Sequence, residues 1–435
     1  MREMKDSGIE WIGDIPADWE MRKIKQLADP NVENSFVDGD WIESPYIVDS
    51  GIRYLTTGNI GDGVFKEQGN GYITLKTFEE LACKYAFPGD LIISRLNAPY
   101  GRSCILPSNY AEYVVAVDNV ILRTQEDKRY ICYVSQCDGY KHTVEDDAKG
   151  TTMKRISRTN LGNIVMPLPP IQQQHRIADY LDRKCSQIDA IIARQQEVIE
   201  KLKAYKLSII TEAVTKGLNP DVPMKDSGVE WIGEIPEHWD FRRIKNCCLI
   251  VDCKNRTPDP DPDGEYIVVR TTCIRDGSFS YEGSYRTNAE NFKEWTAKGQ
   301  PQHGDIFFTR EAPMGEACLV PDTDNLCMGQ RVMFFRPLDG SDPRYILYSI
   351  YGPLAREYID SKNKGSTVGH LKLGQVASLP LFYCPPREQS EIANYLDKRC
   401  GAIDKVVEKK AEIISRITDY KKSLIYEVVT GKKEV

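Results

Sequence analysis

The sequence predicts an α+β chain in which two mixed α/β domains are joined by two long helices, packed as an antiparallel coiled coil about an internal pseudo-two-fold axis. Three observations carry this. From Ile177 the chain reads IADYLDRKCSQIDAIIARQQEVIEKLKAYKLSIITEAVT, and from Ile392 it reads IANYLDKRCGAIDKVVEKKAEIISRITDYKKSLIYEVVT, with no gap needed to align them. Residues 4–25, MKDSGIEWIGDIPADWEMRKIK, return at 224–245 as MKDSGVEWIGEIPEHWDFRRIK. The stretches between keep a common skeleton of short motifs. Self-similarity on this scale governs every other reading: the chain is a tandem duplication, each half running lead-in, globular region, long helix.

A length of 435 residues, 41% hydrophobic and 28% charged, leaves room for two to four domains with cores of their own and excludes general disorder. No apolar run approaches the ~20 residues that cross a bilayer, and the opening MREMKDSGIEWIG lacks a signal-peptide core, so a cytoplasmic protein without membrane contact is expected. Thirteen cysteines without CxxC pairs fit neither a zinc ribbon nor a disulfide framework. Even Cys247, Cys248 and Cys253 lack a partner cluster, and the cysteines read mostly as small buried apolar residues. His142, His175, His238, His303 and His370 show no HxH or HExxH grouping, so no metal is expected. The net charge of -7 argues against a surface that neutralises phosphate everywhere, while leaving room for local basic faces.

In chain order, the first lead-in gives way to a globular region that closes a domain spanning residues 1–168. Gly89-Asp90-Leu91-Ile92-Ile93-Ser94-Arg95 corresponds to Gly304-Asp305-Ile306-Phe307-Phe308-Thr309-Arg310. After one deletion, Ala98-Pro99-Tyr100-Gly101 corresponds to Ala312-Pro313-Met314-Gly315. Asn59-Ile60-Gly61-Asp62-Gly63 lies over Cys273-Ile274-Arg275-Asp276-Gly277, and Lys149-Gly150-Thr151-Thr152 over Lys364-Gly365-Ser366-Thr367. β-Branched and aromatic runs at 114–117, 120–122, 266–269 and 332–335 read as strands between Gly and Pro turns. Pro169-Pro170 opens the first spacer helix, 169–216, and Lys216-Gly217-Leu218-Asn219-Pro220 ends it. The second domain, 217–384, leads through Pro385-Pro386 into the second helix, 385–435. Pro170 to Ile177 spans seven residues and Pro386 to Ile392 six, which predicts a different approach angle for the second domain.

Each helical repeat carries a heptad seam. In the first copy it runs through Leu181, Ile188, Ile191, Gln195, Val198, Leu202, Tyr205 and Ile209, and in the second through Leu396, Ile403, Val406, Lys410, Ile413, Ile417, Tyr420 and Leu424. At ~1.5 Å per residue each repeat makes a rod of roughly 57 Å, and two copies of one seam satisfy each other when paired antiparallel. Gln195 and Lys410 are the polar positions in this seam, and their mutual approach would penalise shifted registers; the competing reading sends both side chains around the seam to solvent.

These residues carry a family resemblance over nearly the whole chain. The lead-in DSGIEWIG(D/E)IP followed by Trp19 or Trp239, the GD-apolar-SR or TR core, the PP-x-x-Q run into a long helix, and the closing Thr215-Lys216-Gly217 and Thr430-Gly431 resemble the specificity subunit of type I restriction-modification systems. The resemblance implies two target-recognition domains, each reading one half of a bipartite, asymmetric site in double-stranded DNA. It implies a helical spacer on which two methyltransferase subunits dock; these use S-adenosylmethionine to methylate adenine N6. Motor-nuclease subunits complete such a complex. The resemblance implies no cofactor and no chemistry for the chain itself. Rods of this length span one B-DNA turn of roughly 34–36 Å.

Base reading calls for Arg and Lys on guanine and Asn and Gln on adenine. Positions where the copies differ are the candidates: Arg53, Asn59, Asn97 and Arg102 in the first domain, against Lys254, Asn255, Arg256, Arg270 and Arg275 in the second. Basic Gly-Thr segments, with Lys149, Lys154, Arg155 and Arg158, and with Lys362, Lys364 and His370, fit phosphate and groove contact. Arg95 and Arg310 occur in both copies, which fits a shared structural or backbone role better than half-site reading.

Two motifs suggest catalysis and fail. Asn97-Ala98-Pro99-Tyr100 resembles the Asn-Pro-Pro-Tyr loop of adenine methyltransferases, but the second copy keeps only Ala-Pro-x-Gly, a turn. Pro262-Asp263 with Glu265 lacks the lysine of a nuclease motif, and no glycine-rich cofactor or nucleotide loop accompanies them. The rival readings are an autonomous methyltransferase or nuclease, active without partners, and a pure scaffold without sequence-selective DNA binding.

Overall fold

The computed structural model describes residues 2–150, 154–338, 340–363 and 369–435. The chain forms two units, Met1–Gln195 with Glu412–Val435, and Gln196–Ala411. The first long helix, Ile171–Lys216, therefore begins in the first unit and ends in the second, and the second long helix, Pro386–Val429, does the reverse.

In the first unit, Phe36–Asp38, Asn119–Leu122, Leu91–Ser94 and Ser103–Ile105 lie side by side as an antiparallel four-stranded sheet. A three-stranded sheet follows the order Tyr72–Ile73, Ile52–Leu55, Tyr113–Val115, its last pair parallel. The second unit repeats the plan with Cys248–Val251, Val332–Pro337, Ile306–Thr309 and Ala317–Leu319, and with Tyr285–Thr287, Tyr266–Val269 and Leu326–Met328. Central strands LIIS and IFFT are buried on both faces, which is why they read as unbroken apolar runs.

The Gly-Asp pair before each central strand builds its turn. Gly89 and Gly304 take φ of +85° and +89°, where a side chain is disfavoured. Asp90 accepts the Phe87 amide at 3.0 Å and Asp305 the Gln302 amide at 2.9 Å. Each aspartate also binds an arginine of the neighbouring strand or its end, Arg123 at 3.0 Å and Arg336 at 2.9 Å.

Within each unit the two long helices run antiparallel. In the first, Lys421 pairs with Asp189 at 2.7 Å, and Tyr130 Oη donates to both Pro167 O and Val429 O, joining the start of one helix to the end of the other. In the second, Lys206 pairs with Asp404 at 2.7 Å, while Gly217, just past one helix, sits against Trp239, whose indole donates to Glu388 at the start of the other. The glycine closing each helix lies against its unit's lead-in: Gly431 abuts Pro16 and Trp19, and Gly217 abuts Pro236 and Trp239. Trp19 and Trp239 are buried, so the repeated lead-in is a repeated docking surface for a helix end.

One of the two rows of the seam read above, Leu181, Ile188, Leu202 and Ile209 with Leu396, Ile403, Ile417 and Leu424, is buried or packed against a core, and the other row is shifted by one residue. Leu181, Cys185 and Ile188 are buried in the first unit with Ile192 packed beside them, whereas Ile191 is 47% exposed. Leu396, Cys400 and Ile403 are buried in the second with Val407, whereas Val406 is 43% exposed. Ile413, Tyr205 and Tyr420 are exposed likewise, and Val198 is partly buried. Adjacent apolar pairs, 191/192, 406/407 and 413/414, satisfy either phase, so spacing alone did not decide. Cys185 and Cys400 decide it, lying seven residues before Ile192 and Val407 on the same helix face.

The helix starts also need correcting. Gln174 Oε1 accepts the Asp127 amide and its Nε2 donates to Pro169 O; Gln389 does the same for Asp342 and Cys384 O. Gln174 thus matches Gln389, Pro170 matches Pro385, and no residue is missing from the second approach.

Candidate nucleic-acid interface

Arg95 and Arg310 stand just beyond the central strands. The Arg95 amide donates to Asp118 O at 2.8 Å and its carbonyl accepts the Ile156 amide at 3.1 Å; Arg310 does so with Arg331 O at 2.9 Å and the Leu371 amide at 3.0 Å. The Arg95 guanidinium donates to Ile156 O and Val117 O and pairs with Asp38 at 3.1 Å. Arg310 donates to Leu371 O and to Asp252 at 2.9 Å. With Arg95 3% exposed, burial lowers its pKa from the ordinary value despite Asp38. These arginines are struts that fasten the basic segment to the sheet.

Three further candidates, Arg53, Asn59 and Arg102, are buried hubs whose donors are spent inside the protein. Arg53 is 2% exposed; its guanidinium donates to Glu67 and to the carbonyls of Tyr54, Gln68, Gly69 and Gly71, folding the 66–71 loop around itself. Asn59 accepts the Thr56 amide and donates to Lys66 O and Gln68 O, tying that loop to the 56–59 turn. Arg102 donates to Thr57 O, Ile60 O, Asn97 O and Pro99 O, tying the Ala98-Pro99 turn to its neighbour. Arginine and asparagine were read as donors for bases, but here loop carbonyls consume the donors.

The remaining candidates among the described residues reach the surface. Asn97 is exposed at φ +64° with Nδ2 3.5 Å from Thr57 Oγ1. Lys149 and Arg155 bond backbone to backbone, closing a loop whose residues 151–153 lie outside the described residues. Lys154 is exposed; Arg155 pairs with Asp118 at 2.9 Å and Arg158 with Asp38 at 3.6 Å. In the second unit Lys254 and Arg256 both bind Glu294 and lie over the Trp295 ring at 4.7 and 4.9 Å, and the Lys254 hydrogen bond holds the Glu294 carboxyl below its usual range. Asn255, Arg270 and Arg275 are exposed, as is Lys362, which lies over the Tyr358 ring. Lys364 lies outside the described residues. His370 Nδ1 faces Glu311 at 3.0 Å and its Nε2 faces Arg310.

The structure adds a duplicated clamp absent from the sequence reading. Asp127 caps the helix Lys128–Gln136, and its carboxylate takes a fork from Arg129, whose Nη1 reaches Asp179 and Asp182 of the long helix at 2.8 Å. Tyr133 Oη donates to the same Asp182. In the second unit Asp342, Arg344 and Tyr348 repeat this on Asn394 and Asp397. Asp127-Lys-Arg-Tyr-Ile-Cys-Tyr133 and Asp342-Pro-Arg-Tyr-Ile-Leu-Tyr348 carried the signal. Among the described residues no group of His, Cys, Asp or Glu is placed to hold a metal, and no helix is long and apolar enough to cross a membrane. The thirteen cysteines are free and buried, and burial pushes thiols such as Cys104 up to about 12.

Residues 16–201 and 236–414 match the sequence model of the type I restriction modification DNA specificity domain. The chain is 24% identical, over 98% of its length and 96% of the relative's, to a protein provisionally named the type I restriction enzyme MjaX specificity subunit of Methanocaldococcus jannaschii. It is 22% identical to the type I restriction enzyme EcoKI specificity subunit of Escherichia coli K12, over 70% of this chain and 65% of that one. In fold it is similar to a chain from a solved structure concerned with assembly and conformational transition of the type I R-M system, with a TM-score of 0.68, 14% identity, and coverage of 96% and 99% of the two chains.

Proposed function

The chain belongs to the type I restriction-modification DNA specificity family, and from that premise we propose that it is the sequence-reading subunit of a methyltransferase and endonuclease complex. Each unit contacts one half of a bipartite site in double-stranded DNA, and the chain itself performs no chemistry. The observation that carries this is one frame built twice: Arg95 with Asp38, and Arg310 with Asp252, hold equivalent loops whose outward side chains differ. Identical frames with different rims suit two different half-sites. Methyltransferase subunits, carrying S-adenosylmethionine, seat on the long helices. Exposed apolar residues of these helices, Ile191, Ile413 and Tyr420 in the first unit and Tyr205 and Val406 in the second, supply such seats within each unit.

The test is to assemble the chain with its methyltransferase subunits, treat genomic DNA, and map methylated adenines. Two short motifs separated by unspecified bases are expected, and one continuous motif would refute the reading. Methyl transfer by the chain alone would restore the autonomous-enzyme alternative. Inserting one heptad into the first long helix alone should change the spacer or abolish activity.

A further inference from the structure

The repeated frame aligns the two rims residue by residue. Because Arg95 and Arg310 make the same two backbone bonds, Asp118 corresponds to Arg331 and Arg155 to His370. At this corner the charge at the first of these positions is reversed. The first unit has an acid at 118, paired with Arg155 at 2.9 Å. The second has a base at 331, paired through Nε with Glu311, whose other oxygen faces His370 at 3.0 Å.

We propose that Arg331 is a specificity-determining residue of the second unit, presenting its two terminal nitrogens to the O6 and N7 edge of a guanine. This rests on the function proposed above. Arg331 takes φ +74°, a left-handed conformation that Asp118 does not share and that disfavours a non-glycine residue. An arginine at that position is therefore at odds with the backbone alone. Its side chain is 47% exposed, while that of Glu311 is 13% exposed. The Glu311 carboxylate lies against Nε, and neither terminal nitrogen donates to any described residue, so among the described residues both stay available on a half-exposed side chain. The planar fork they form matches guanine. Phosphate binding is the weaker fit: the adjacent carboxylate cancels the long-range attraction that makes a cation useful to a phosphate, yet leaves its directed donors intact.

The test uses the full chain assembled with its methyltransferase subunits and S-adenosylmethionine, genomic DNA as probe, and maps of methylated adenine. R331K keeps the charge and removes the fork; R331G removes the side chain and suits φ +74°. With either variant, one guanine in one half-site should become degenerate, its discrimination falling on the order of 10- to 100-fold, while the other half-site stays unchanged. A folding defect would lower methylation at every position alike. If R331G methylates the wild-type motif with undiminished preference at every position, the assignment is overturned. Should wild-type protein give no bipartite motif, the proposed function fails first, and this assignment with it.

Discussion

Replacing Arg129 by alanine isolates the clamp that seats the first globular region on its long helix. Asp127, whose side chain is 5% exposed, takes Nε at 3.3 Å and Nη2 at 2.9 Å from Arg129, and Nη1 binds Asp179 and Asp182 at 2.8 Å. Removing one partner of a fully buried pair costs about 3–5 kcal/mol. Arg129 is 39% exposed, so water screens its outer contacts, and Asp127 keeps the His175 ring at 2.7 Å and the residue-129 amide at 2.8 Å. Allowing for both, R129A should lose about 2 kcal/mol at pH 7. Urea unfolding, followed by amide exchange across residues 128–136, measures it. The pH dependence supplies a second constraint. Burial raises the Asp127 pKa, but the Arg129 and His175 hydrogen bonds outweigh it, leaving the pKa lowered. A depressed folded-state pKa gives stability that is complete above the unfolded value of about 3.9 and lost as pH falls through the folded value. The difference between wild type and R129A should therefore hold from neutral pH to about 5 and shrink below about 4. A difference under about 0.5 kcal/mol at pH 7, or one undiminished at pH 3, would refute the clamp.

The other expectations follow from burial and exposure in the same way. R53A should destabilise the first unit by about 3 kcal/mol or more, because one guanidinium organises the 66–71 loop, and limited proteolysis should cut that loop first. K206A and K421A remove exposed interhelical pairs, and each should cost less than about 1 kcal/mol in thermal unfolding. Lys154→Ala with Arg155→Ala should weaken DNA binding by the assembled complex and reduce the slope of log affinity against log salt by about 1 to 2. Unaltered binding would remove those two side chains from the interface.

Much of this architecture was legible because duplication doubles every signal. The lead-ins, the Gly-Asp turns and the Ala-Pro-x-Gly turns each occur twice, and Gly217 and Gly431 end both long helices at φ +72° and +73°. The failures have physical causes. Heptad spacing is ambiguous where apolar residues sit side by side, as at Ile191 and Ile192, and the seam cysteines were discounted as generic buried residues. Side-chain type announces donors but not their acceptors, so Arg53, Asn59 and Arg102 looked like base readers until loop carbonyls took their hydrogens. Arg331 was invisible because its correspondence with Asp118 exists only through backbone bonds to Arg310 and Arg95.

That division between frame and rim explains how one chain can hold two readers. Asp90 with Arg123, Asp127 with Arg129 and Arg95 with Asp38 each have a largely buried member that holds several loops at once, and all three pairs recur in the second unit. A change at any of them leaves a largely buried charge short of a partner, a loss of about 2 kcal/mol or more and a large share of a domain's stability. Substitutions at the rim cost far less, usually within ~0.5 kcal/mol, because water replaces whatever partner is lost. Asp118 with Arg155 can thus become Arg331 with Glu311 and His370 on an unchanged scaffold. The same frame, with the chain turned to φ +74° at 331, can present a guanidinium in one unit where the other presents a carboxylate.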